Sequence, residues 1–302
     1  MKIFITGING AVGWNLANLF HSEGYDVLGT FRQAQPPNLP GESSKPAQSY
    51  YPLDLGDTSL ASSQLEAIPQ DLDAIIHCAA FTDVNLCQRE MEMAERINTE
   101  GTRQILNAAK DRNAFLIYLS TDFVFPGSGL NYREDSATGP RGIYGQTKLK
   151  GEDHVLEYES SAVIRFTPLD HPLHLPHHSN TFVRWLQSQK ADSPPLRLFT
   201  DKTFSPVSAV ELFELSKHIL TKVNQNSSDR SGVWHSCSKE ILSVFEAGAM
   251  VRDYLGLPVQ LEGSKFPDNE YGAIRPQHSG LISTRYPSKP LLSILSQFHK
   301  GA

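Results

Sequence analysis

A tyrosine and a lysine four residues apart, Tyr144 and Lys148, open a segment with a helical pattern. That spacing places the two side chains on one helix face, one turn apart. A free tyrosine has a pKa of about 10, and a neighbouring ammonium group lowers it. We therefore expect Tyr144 to exchange a proton with a substrate near neutral pH, with Lys148 lowering its pKa. The alternative is an exposed helical pair, because this spacing arises by chance in many chains.

Hydroxyl and carboxyl side chains follow the apolar run Phe115–Leu119, in the order Ser120, Thr121, Asp122. Open α/β sheets bind ligands at the carboxyl ends of their strands. Thr121 could hold a substrate carbonyl oxygen together with Tyr144 and polarise it for hydride attack. Asp122 is predicted to lie on the substrate side of the same strand end. The alternative for Thr121 is a hydroxyl that caps local backbone.

A glycine-rich turn, Gly7-Ile8-Asn9-Gly10-Ala11-Val12-Gly13, joins the first apolar run to a helical pattern. Gly7 allows a tight turn, Gly10 lets the backbone approach a pyrophosphate, and Gly13 lets the helix pack close to the strand. The following helix N-terminus offers free N–H groups to phosphates. The turn predicts a dinucleotide site. The alternative is a glycine-rich turn that binds nothing.

The end of the second apolar run indicates which dinucleotide is bound. Rossmann proteins that use NAD often place an acidic residue there, on the ribose 2′-hydroxyl. This chain has no acid at that point, and Arg32 follows Phe31 instead. Arg32 can pair with a 2′-phosphate, so NADP(H) is predicted in preference to NAD(H), which stays possible. The alternative is a solvated loop arginine.

Strand-like and helix-like segments alternate through the first two-thirds of the chain. This alternation predicts βαβ units, and so an α/β fold with a doubly wound parallel sheet, the NAD(P)-binding Rossmann fold. The Rossmann domain is expected over residues 1–167, and a smaller C-terminal substrate lobe, partly interleaved with that core, over 168–302. Strands are predicted at Lys2 to Thr6, Tyr25 to Phe31, Ala74 to Cys78 and Phe115 to Leu119, and helices at Val12 to Ser22, Met91 to Ala109 and Tyr144 to Tyr158.

The composition and charge are those of an ordinary globular protein and argue against several kinds of partner. The 302 residues are 39% apolar and 20% charged, as in an ordinary globular protein. The net charge of −6 gives no reason to expect nucleic acid or an anionic membrane as a partner. Three unpatterned cysteines and the absence of a signal-like N-terminus predict a cytoplasmic protein. The histidines between residues 171 and 178 lack a firm ligand pattern, so no metal is predicted.

The chain resembles the extended short-chain dehydrogenases/reductases, and within them the dTDP-4-dehydrorhamnose reductase (RmlD-like) group of sugar-nucleotide-binding proteins. Besides the motifs above, the resemblance rests on Asp54-Leu55, His77 to Val84, Ile97-Asn98, Gly101-Thr102, Tyr118 to Gly127 and Tyr144 to Glu152, with looser pieces at Asp201 to Pro206, Gly232 to His235 and Arg275-Pro276. It runs from the glycine turn to near the C-terminus.

The resemblance implies roles for individual residues. Thr121, Tyr144 and Lys148 match the catalytic positions, and Lys148 would also bond the nicotinamide ribose. Asn98 matches a helix asparagine that ties structure together. The segment Thr82, Asp83 and Val84 matches a substrate-contacting segment. The cofactor positions implied are Gly7, Asn9, Gly10, Ala11, Val12, Gly13, Asp54, Leu55, Ala79 and Ala80.

The expected activity is NADPH-dependent reduction of the 4-keto group of a nucleoside-diphosphate deoxy sugar, by a protein that could be a homodimer. A tryptophan usual after Arg165 is missing from Phe166 to Leu169, which puts the rhamnose precursor itself in question. Phe123 stands where dehydratase relatives carry an acid, which argues against elimination of water. The alternatives are a non-catalytic NADP-binding subunit similar to the methionine adenosyltransferase beta subunit, and another sugar-nucleotide epimerase or reductase.

Overall fold

The computed structural model describes residues 1–32, 50–129, 131–170, 181–190, 192–221, 229–267 and 273–298. Its strands are β1 Lys2–Thr6, β2 Asp26–Phe31, β3 Tyr50–Pro52, β4 Ala74–His77, β5 Phe115–Leu119, β6 Ser161–Asp170, β7 Leu196–Phe199, β8 Thr203–Phe204, β9 Pro206–Ser208, β10 Gly232–Ser236, β11 Leu242–Ser243 and β12 Leu261–Ser264.

Ten α-helices lie in this described part of the chain. They are α1 Ala11–Ser22, α2 Thr58–Glu66, α3 Val84–Arg89, α4 Met91–Glu95, α5 Gly101–Asp111, α6 Ile143–Leu156, α7 Phe182–Gln187, α8 Ala209–Thr221, α9 Val244–Leu255 and α10 Leu291–Leu295. A π-helical turn spans Arg96–Glu100, and a 3-10 turn spans Asp122–Val124.

The main sheet runs β3-β2-β1-β4-β5-β6-β10, and every pair along it is parallel. Strand β9 adds to β6 beyond that path. The order reverses between β1 and β4, which is the point where open α/β sheets form a ligand crevice. The predicted doubly wound parallel sheet is confirmed.

Burial of both sheet faces explains the continuous apolar runs. In β1, Ile3 and Ile5 pack in one core with α1 and α8, while Phe4 packs in a second core with α2 and α5. Successive strand residues point to opposite faces, so strands covered by helices on both sides must be apolar throughout. This packing fixes the strand ends that carry the site.

Residues after 168 contribute to the main sheet as well as to smaller pieces. Strand β6 crosses position 168, and β10 pairs with β6. The two-stranded pairs β7–β12 and β8–β11 lie outside the main sheet. The division at 167/168 therefore stays a proposal. No helix of the described residues is long and apolar enough to cross a membrane.

The helix predicted from Met91 to Ala109 is interrupted rather than regular. Helix α4, the π-helical turn Arg96–Glu100 and helix α5 follow one another directly. An extra residue in a π turn shifts the helix face at that point, and such turns occur often at functional sites. The turn places Asn98 inside the protein, with 1% of its surface exposed.

Candidate functional site

The glycine turn lies where β1 meets α1, at the reversal of the sheet order. Gly7 has φ 67°, in the left-handed region, and a Cβ there would lie 2.9 Å from Ala79 Cα. A Cβ at Gly13 would lie 2.4 Å from the Gly7 carbonyl oxygen. Helix α1 begins after Gly10 with no side-chain cap. The turn is thus a close-packed backbone cradle whose first helical N–H groups suit a pyrophosphate.

The neighbouring strand ends carry the other predicted cofactor residues. Arg32 directly follows β2 and is exposed. Asp54 Oδ1 accepts a hydrogen bond from Gly56 N at 2.9 Å. Leu55 is buried, and a Cβ at Gly101 would lie 3.0 Å from its Cβ, so its side chain packs in the core. The cation and the glycine cradle fit a dinucleotide with a 2′-phosphate.

A buried hydroxyl–imidazole pair ties the end of β4 to the end of β1. Thr6 Oγ1 is 2.7 Å from His77 Nδ1, and it accepts the N–H groups of Cys78 and Ala79 at 3.2 and 3.1 Å. Burial lowers the pKa of His77 to about 3, so the ring is neutral. This clamp places the backbone of Ala79 against the glycine turn. Sequence reasoning did not anticipate it.

The predicted substrate segment after β4 is partly used for local structure. Thr82 and Asp83 are exposed. Asp83 Oδ1 caps α3 by accepting from Asn85 N and Leu86 N, both at 2.9 Å. An N-cap carboxylate satisfies backbone groups that a helix start leaves open. Contact of this segment with substrate stays a prediction.

Asn98 joins Phe81, which precedes the predicted substrate segment, to helix α6. Its Oδ1 accepts from Phe81 N at 2.8 Å, and its Nδ2 donates to Phe81 O and to Thr147 Oγ1, both at 3.1 Å. Thr147 lies on α6 between Tyr144 and Lys148. Asn98 therefore ties structure together, as the resemblance implied for it.

Lys148 is buried against the carboxyl end of β5. Its Nζ donates to Leu119 O at 2.8 Å and lies 4.0 Å from the centre of the Tyr118 ring. Burial lowers the pKa of Lys148 to about 7 and raises that of Tyr144. Spacing alone reports neither the burial of Tyr144 and Lys148 nor the bond from Lys148 to Leu119 O, and in this structure burial gives a net rise in the pKa of Tyr144. Proton exchange by Tyr144 with Lys148 beside it stays a prediction.

Thr121 lies beside Tyr144, and its hydrogen bonding lowers the pKa of that tyrosine. It also accepts from Phe123 N at 3.2 Å, which is the local capping role considered as an alternative. Its Oγ1 donates to Asp122 Oδ1 at 3.1 Å. The strand end thus brings Thr121, Tyr144 and Asp122 together, as the sequence predicted.

Asp122 is 1% exposed, and burial raises its pKa. Ser279, Thr167 and the charge of Lys202 act in the opposite direction. Neither hydroxyl forms a hydrogen bond of normal geometry with Asp122 Oδ2, which has no partner among the described residues. A buried carboxylate oxygen without a donor costs free energy.

Lys202 is a second largely buried lysine near the site. Its Nζ donates to Pro276 O at 2.7 Å and lies 5.7 and 4.6 Å from the ring centres of Phe123 and Phe266. Burial lowers its pKa to about 8, and Asp122 opposes that change. Lys202 is far from Asp122 in the sequence, so a search for local motifs did not predict that the two lie near each other.

A buried ion pair joins β6 to α6 next to the end of β5. Arg165 Nη2 lies 2.6 Å from Glu152 Oε2, with 5% and 1% of the two side chains exposed. Ser120 Oγ also donates to Glu152 Oε1. This network joins the end of β5 to α6 and β6, and so holds Thr121 relative to Tyr144.

The histidines between residues 171 and 178 lie outside the described residues. Among the residues that are described, no group of three or more His, Cys, Asp or Glu side chains is placed to hold a metal ion.

Comparison with known proteins assigns the family. A family model described as the RmlD substrate binding domain matches residues 1–298. The chain belongs to this family. The predicted resemblance is confirmed, and with it the class of NAD(P)-dependent oxidoreductases of the short-chain dehydrogenase/reductase type at the level of the family.

Three relatives span two functional descriptions. A probable low-salt glycan biosynthesis reductase of Haloferax volcanii is 27% identical, over 93% of this chain and 89% of that protein. The dTDP-4-dehydrorhamnose reductase of Escherichia coli is 28% identical, over 95% and 91%. The methionine adenosyltransferase 2 subunit beta of Xenopus tropicalis is 32% identical, over 56% of this chain and 46% of that protein.

Solved structures support the fold. The dTDP-4-dehydrorhamnose reductase of Yersinia enterocolitica is 28% identical, covers 99% of each chain and superposes with a TM-score of 0.78. The corresponding Bacillus anthracis enzyme, solved in complex with NADP, is 24% identical, covers 98% of each chain and has a TM-score of 0.80.

Proposed function

We propose that this protein is an NADPH-dependent reductase of the 4-keto group of a nucleoside-diphosphate deoxy sugar. The observation that supports the proposal is the bond of Lys148 Nζ to Leu119 O at the carboxyl end of β5, the strand end that Thr121 follows, on the same edge of the parallel sheet as the glycine turn after β1. The relatives described as sugar-nucleotide reductases support it.

The side chains present suit proton donation to a carbonyl oxygen. Burial keeps Tyr144 protonated, so it can give its proton to an oxygen that becomes negative as hydride arrives. Lys148, with a pKa lowered to about 7, can carry or release a proton near neutral pH. The buried site strengthens each of these interactions.

The cofactor proposal rests on the cradle and on Arg32. Gly7, Gly10 and Gly13 are proposed to let a pyrophosphate approach the start of α1, and the exposed Arg32, directly after β2, is proposed to pair with a 2′-phosphate. NADPH supplies hydride when bound. The NADP complex of the Bacillus anthracis relative supports this preference, and NAD(H) stays possible.

The substrate proposal rests on the size of the C-terminal segment. Residues 168–302 are proposed as a substrate lobe, because a sugar nucleotide needs separate places for base, diphosphate and sugar. The segment Thr82 to Val84 and Asp122 are proposed to face the sugar. The sequence from Phe166 to Leu169 lacks the tryptophan that the resemblance led us to expect, so a sugar or base other than the rhamnose precursor is proposed.

A panel of 4-keto sugar nucleotides tests the proposal. NADPH consumption is followed by absorbance with each member, with free keto sugars and simple ketones as controls. We expect turnover of at least one sugar nucleotide and none of the controls, since binding energy from the remote nucleotide orients the keto group. Tight NADPH binding without any turnover would overturn the reductase proposal.

The second candidate is a non-catalytic NADP-binding subunit. The similarity to a methionine adenosyltransferase 2 subunit beta favours it. A tagged protein that retains a synthetase from its own cell extract, while the whole sugar-nucleotide panel is inert, would support this candidate. The cytoplasmic location and the homodimer stay predictions.

A further inference from the structure

His77 is the last residue of β4, and each of its two ring nitrogens meets a threonine hydroxyl. Nδ1 lies 2.7 Å from Thr6 Oγ1, and Nε2 lies 3.2 Å from Thr102 Oγ1. The side chain is completely buried, and burial lowers its pKa to about 3. The ring is therefore neutral, so one nitrogen donates a hydrogen bond and the other accepts one. The remaining bonds of the two hydroxyls decide which nitrogen carries the proton.

Thr6 has only its proton left for His77. Its Oγ1 accepts the N–H groups of Cys78 and Ala79 at 3.2 and 3.1 Å. A hydroxyl has two lone pairs and one proton, so these two bonds occupy both lone pairs. Thr6 therefore donates to Nδ1 of His77, and Nδ1 is the unprotonated nitrogen.

Thr102 leads to the same tautomer from the other side of the ring. Its hydroxyl, on α5, donates to Asn98 O at 2.7 Å, and Asn98 lies in the π-helical turn. Because the Thr102 proton is used in this bond, Thr102 accepts from Nε2 of His77. Both hydroxyls therefore assign one tautomer to His77, with Nε2 protonated and Nδ1 unprotonated.

We propose that His77 is a positioning residue for the dinucleotide and acts through Thr6. By accepting the Thr6 proton, His77 leaves both lone pairs of that hydroxyl to the N–H groups of Cys78 and Ala79. This backbone packs on the glycine turn, since a Cβ at Gly7 would lie 2.9 Å from Ala79 Cα. A protonated Nδ1 would give Thr6 a third donor and leave one buried N–H without its acceptor. The consequence for cofactor binding rests on the proposed function, whereas the tautomer does not.

The groups packed around the ring favour an uncharged His77. Tyr118 of β5 stacks on it, with ring centres 5.5 Å apart. The charge of Lys148 on α6 opposes a second proton on the imidazole. The threonines at the two nitrogens are neutral. We therefore expect His77 to keep a single proton, on Nε2, across the pH range in which an ordinary histidine, with a pKa of about 6.5, changes its charge.

NMR of the unchanged protein measures the tautomer directly. A long-range ¹H–¹⁵N spectrum shows which ring nitrogens of the histidines are protonated, and the His77 signals are assigned by their loss in His77→Asn. We expect a protonated Nε2 and an unprotonated Nδ1 throughout the range around pH 6.5. A protonated Nδ1, or a ring that titrates in this range, would overturn the proposal. The measurement requires neither cofactor nor substrate.

Asparagine and glutamine each reproduce half of the imidazole and so test its role in cofactor binding. Asparagine can place an acceptor where Nδ1 lies, and glutamine can place a donor where Nε2 lies. In a fluorescence titration, His77→Asn should bind NADPH nearly as tightly as the unchanged protein. His77→Gln should bind it about tenfold more weakly, the effect of about one lost hydrogen bond. As a matched control, His278→Gln changes a histidine whose Nδ1 lies 3.1 Å from the Thr203 hydroxyl and should leave the affinity unchanged.

The outcomes separate this role from the proposed function. Equal NADPH affinity in His77→Gln and the unchanged protein, or a larger loss in His77→Asn than in His77→Gln, would contradict the positioning role. An unchanged protein that binds no NADPH would instead reject the proposed function and leave the tautomer in place. Circular dichroism verifies that both variants are folded, and the NMR spectrum of the unchanged protein decides the tautomer where one of them is not.

Discussion

Replacing Glu152 by glutamine should destabilise the protein severely, because it leaves the Arg165 guanidinium buried without its counter-charge. The two side chains are 1% and 5% exposed, and two nitrogens of Arg165 contact the carboxylate at 2.6 to 3.1 Å. Breaking one partner of such a buried pair costs about 3–5 kcal/mol. The removed carboxylate also accepts from Ser120, so the loss extends to the catalytic strand end.

The magnitude converts into a melting temperature. An unfolding entropy of about 2.1 cal/mol/K per residue gives about 0.6 kcal/mol per degree for 302 residues. A loss of about 3–5 kcal/mol then lowers the Tm by about 5–8 °C. Thermal unfolding followed by circular dichroism at constant scan rate measures this change.

Two variants control for the loss of charge alone. Glu95→Gln breaks the exposed pair with Lys150, where 39% and 55% of the side chains are exposed, and should cost at most about 1 kcal/mol. Glu152→Gln combined with Arg165→Met removes both charges and should recover much of the stability. A Tm change for Glu152→Gln no larger than that of Glu95→Gln would refute the reasoning.

Four further predictions concern the cofactor and the site. Arg32→Ala should erase most of the preference for NADPH over NADH in a fluorescence titration, and equal affinities in the unchanged protein would contradict the assignment. Gly13→Val should abolish dinucleotide binding, since even its Cβ would meet the Gly7 carbonyl at 2.4 Å; unchanged affinity would rule out this cradle. Between about pH 7 and the ordinary lysine pKa of 10.5, the unfolded Lys148 binds a proton and the buried one does not, so the free energy of unfolding rises with pH. Lys148→Met should make this rise smaller in denaturant titrations. An equal rise in the variant and the unchanged protein would count against a neutral buried lysine. Tyr144→Phe should keep cofactor affinity and lower kcat by about 10²–10⁴-fold, and a variant with most of its turnover would exclude Tyr144 as the acid.

The sequence predicted strand and helix ends well where the local residue pattern is compatible with one type of secondary structure. The apolar runs of β1 and β5 were predicted with their observed ends, because a strand covered on both faces must be apolar throughout. Helix α1 begins one residue earlier than predicted, directly after Gly10. Thr121 was predicted at the carboxyl end of a buried strand, where open α/β sheets bind ligands, and it follows β5 directly.

The electrostatics of the site could not be read from spacing. The spacing of Tyr144 and Lys148 predicted that both side chains lie on one helix face. Their burial and the bond from Lys148 to Leu119 O depend on tertiary packing, which spacing does not report. The neighbours of Asp122 are equally distant in sequence, since Thr167 and Lys202 follow it by tens of residues. A local sequence pattern does not show contacts between residues that are this far apart in the chain.

The interruption between α4 and α5 was missed for a different reason. A π-helical turn adds one residue to an otherwise helical segment, and its apolar spacing differs little from that of a regular helix. Within the turn, Asn98 bonds to Phe81 and Thr147, contacts that the apolar spacing does not report.

The central claim is that this site transfers hydride to a keto sugar, and isotope transfer tests it most directly. The protein is incubated with NADPH carrying deuterium at the transferred position and with each 4-keto sugar nucleotide, and the product is analysed by NMR and mass spectrometry. We expect one deuterium at C4 of the sugar in at least one product, and incorporation about 10²–10⁴-fold slower when Tyr144→Phe replaces the unchanged protein. Bound NADPH that retains its deuterium with every member of the panel would contradict the reductase account.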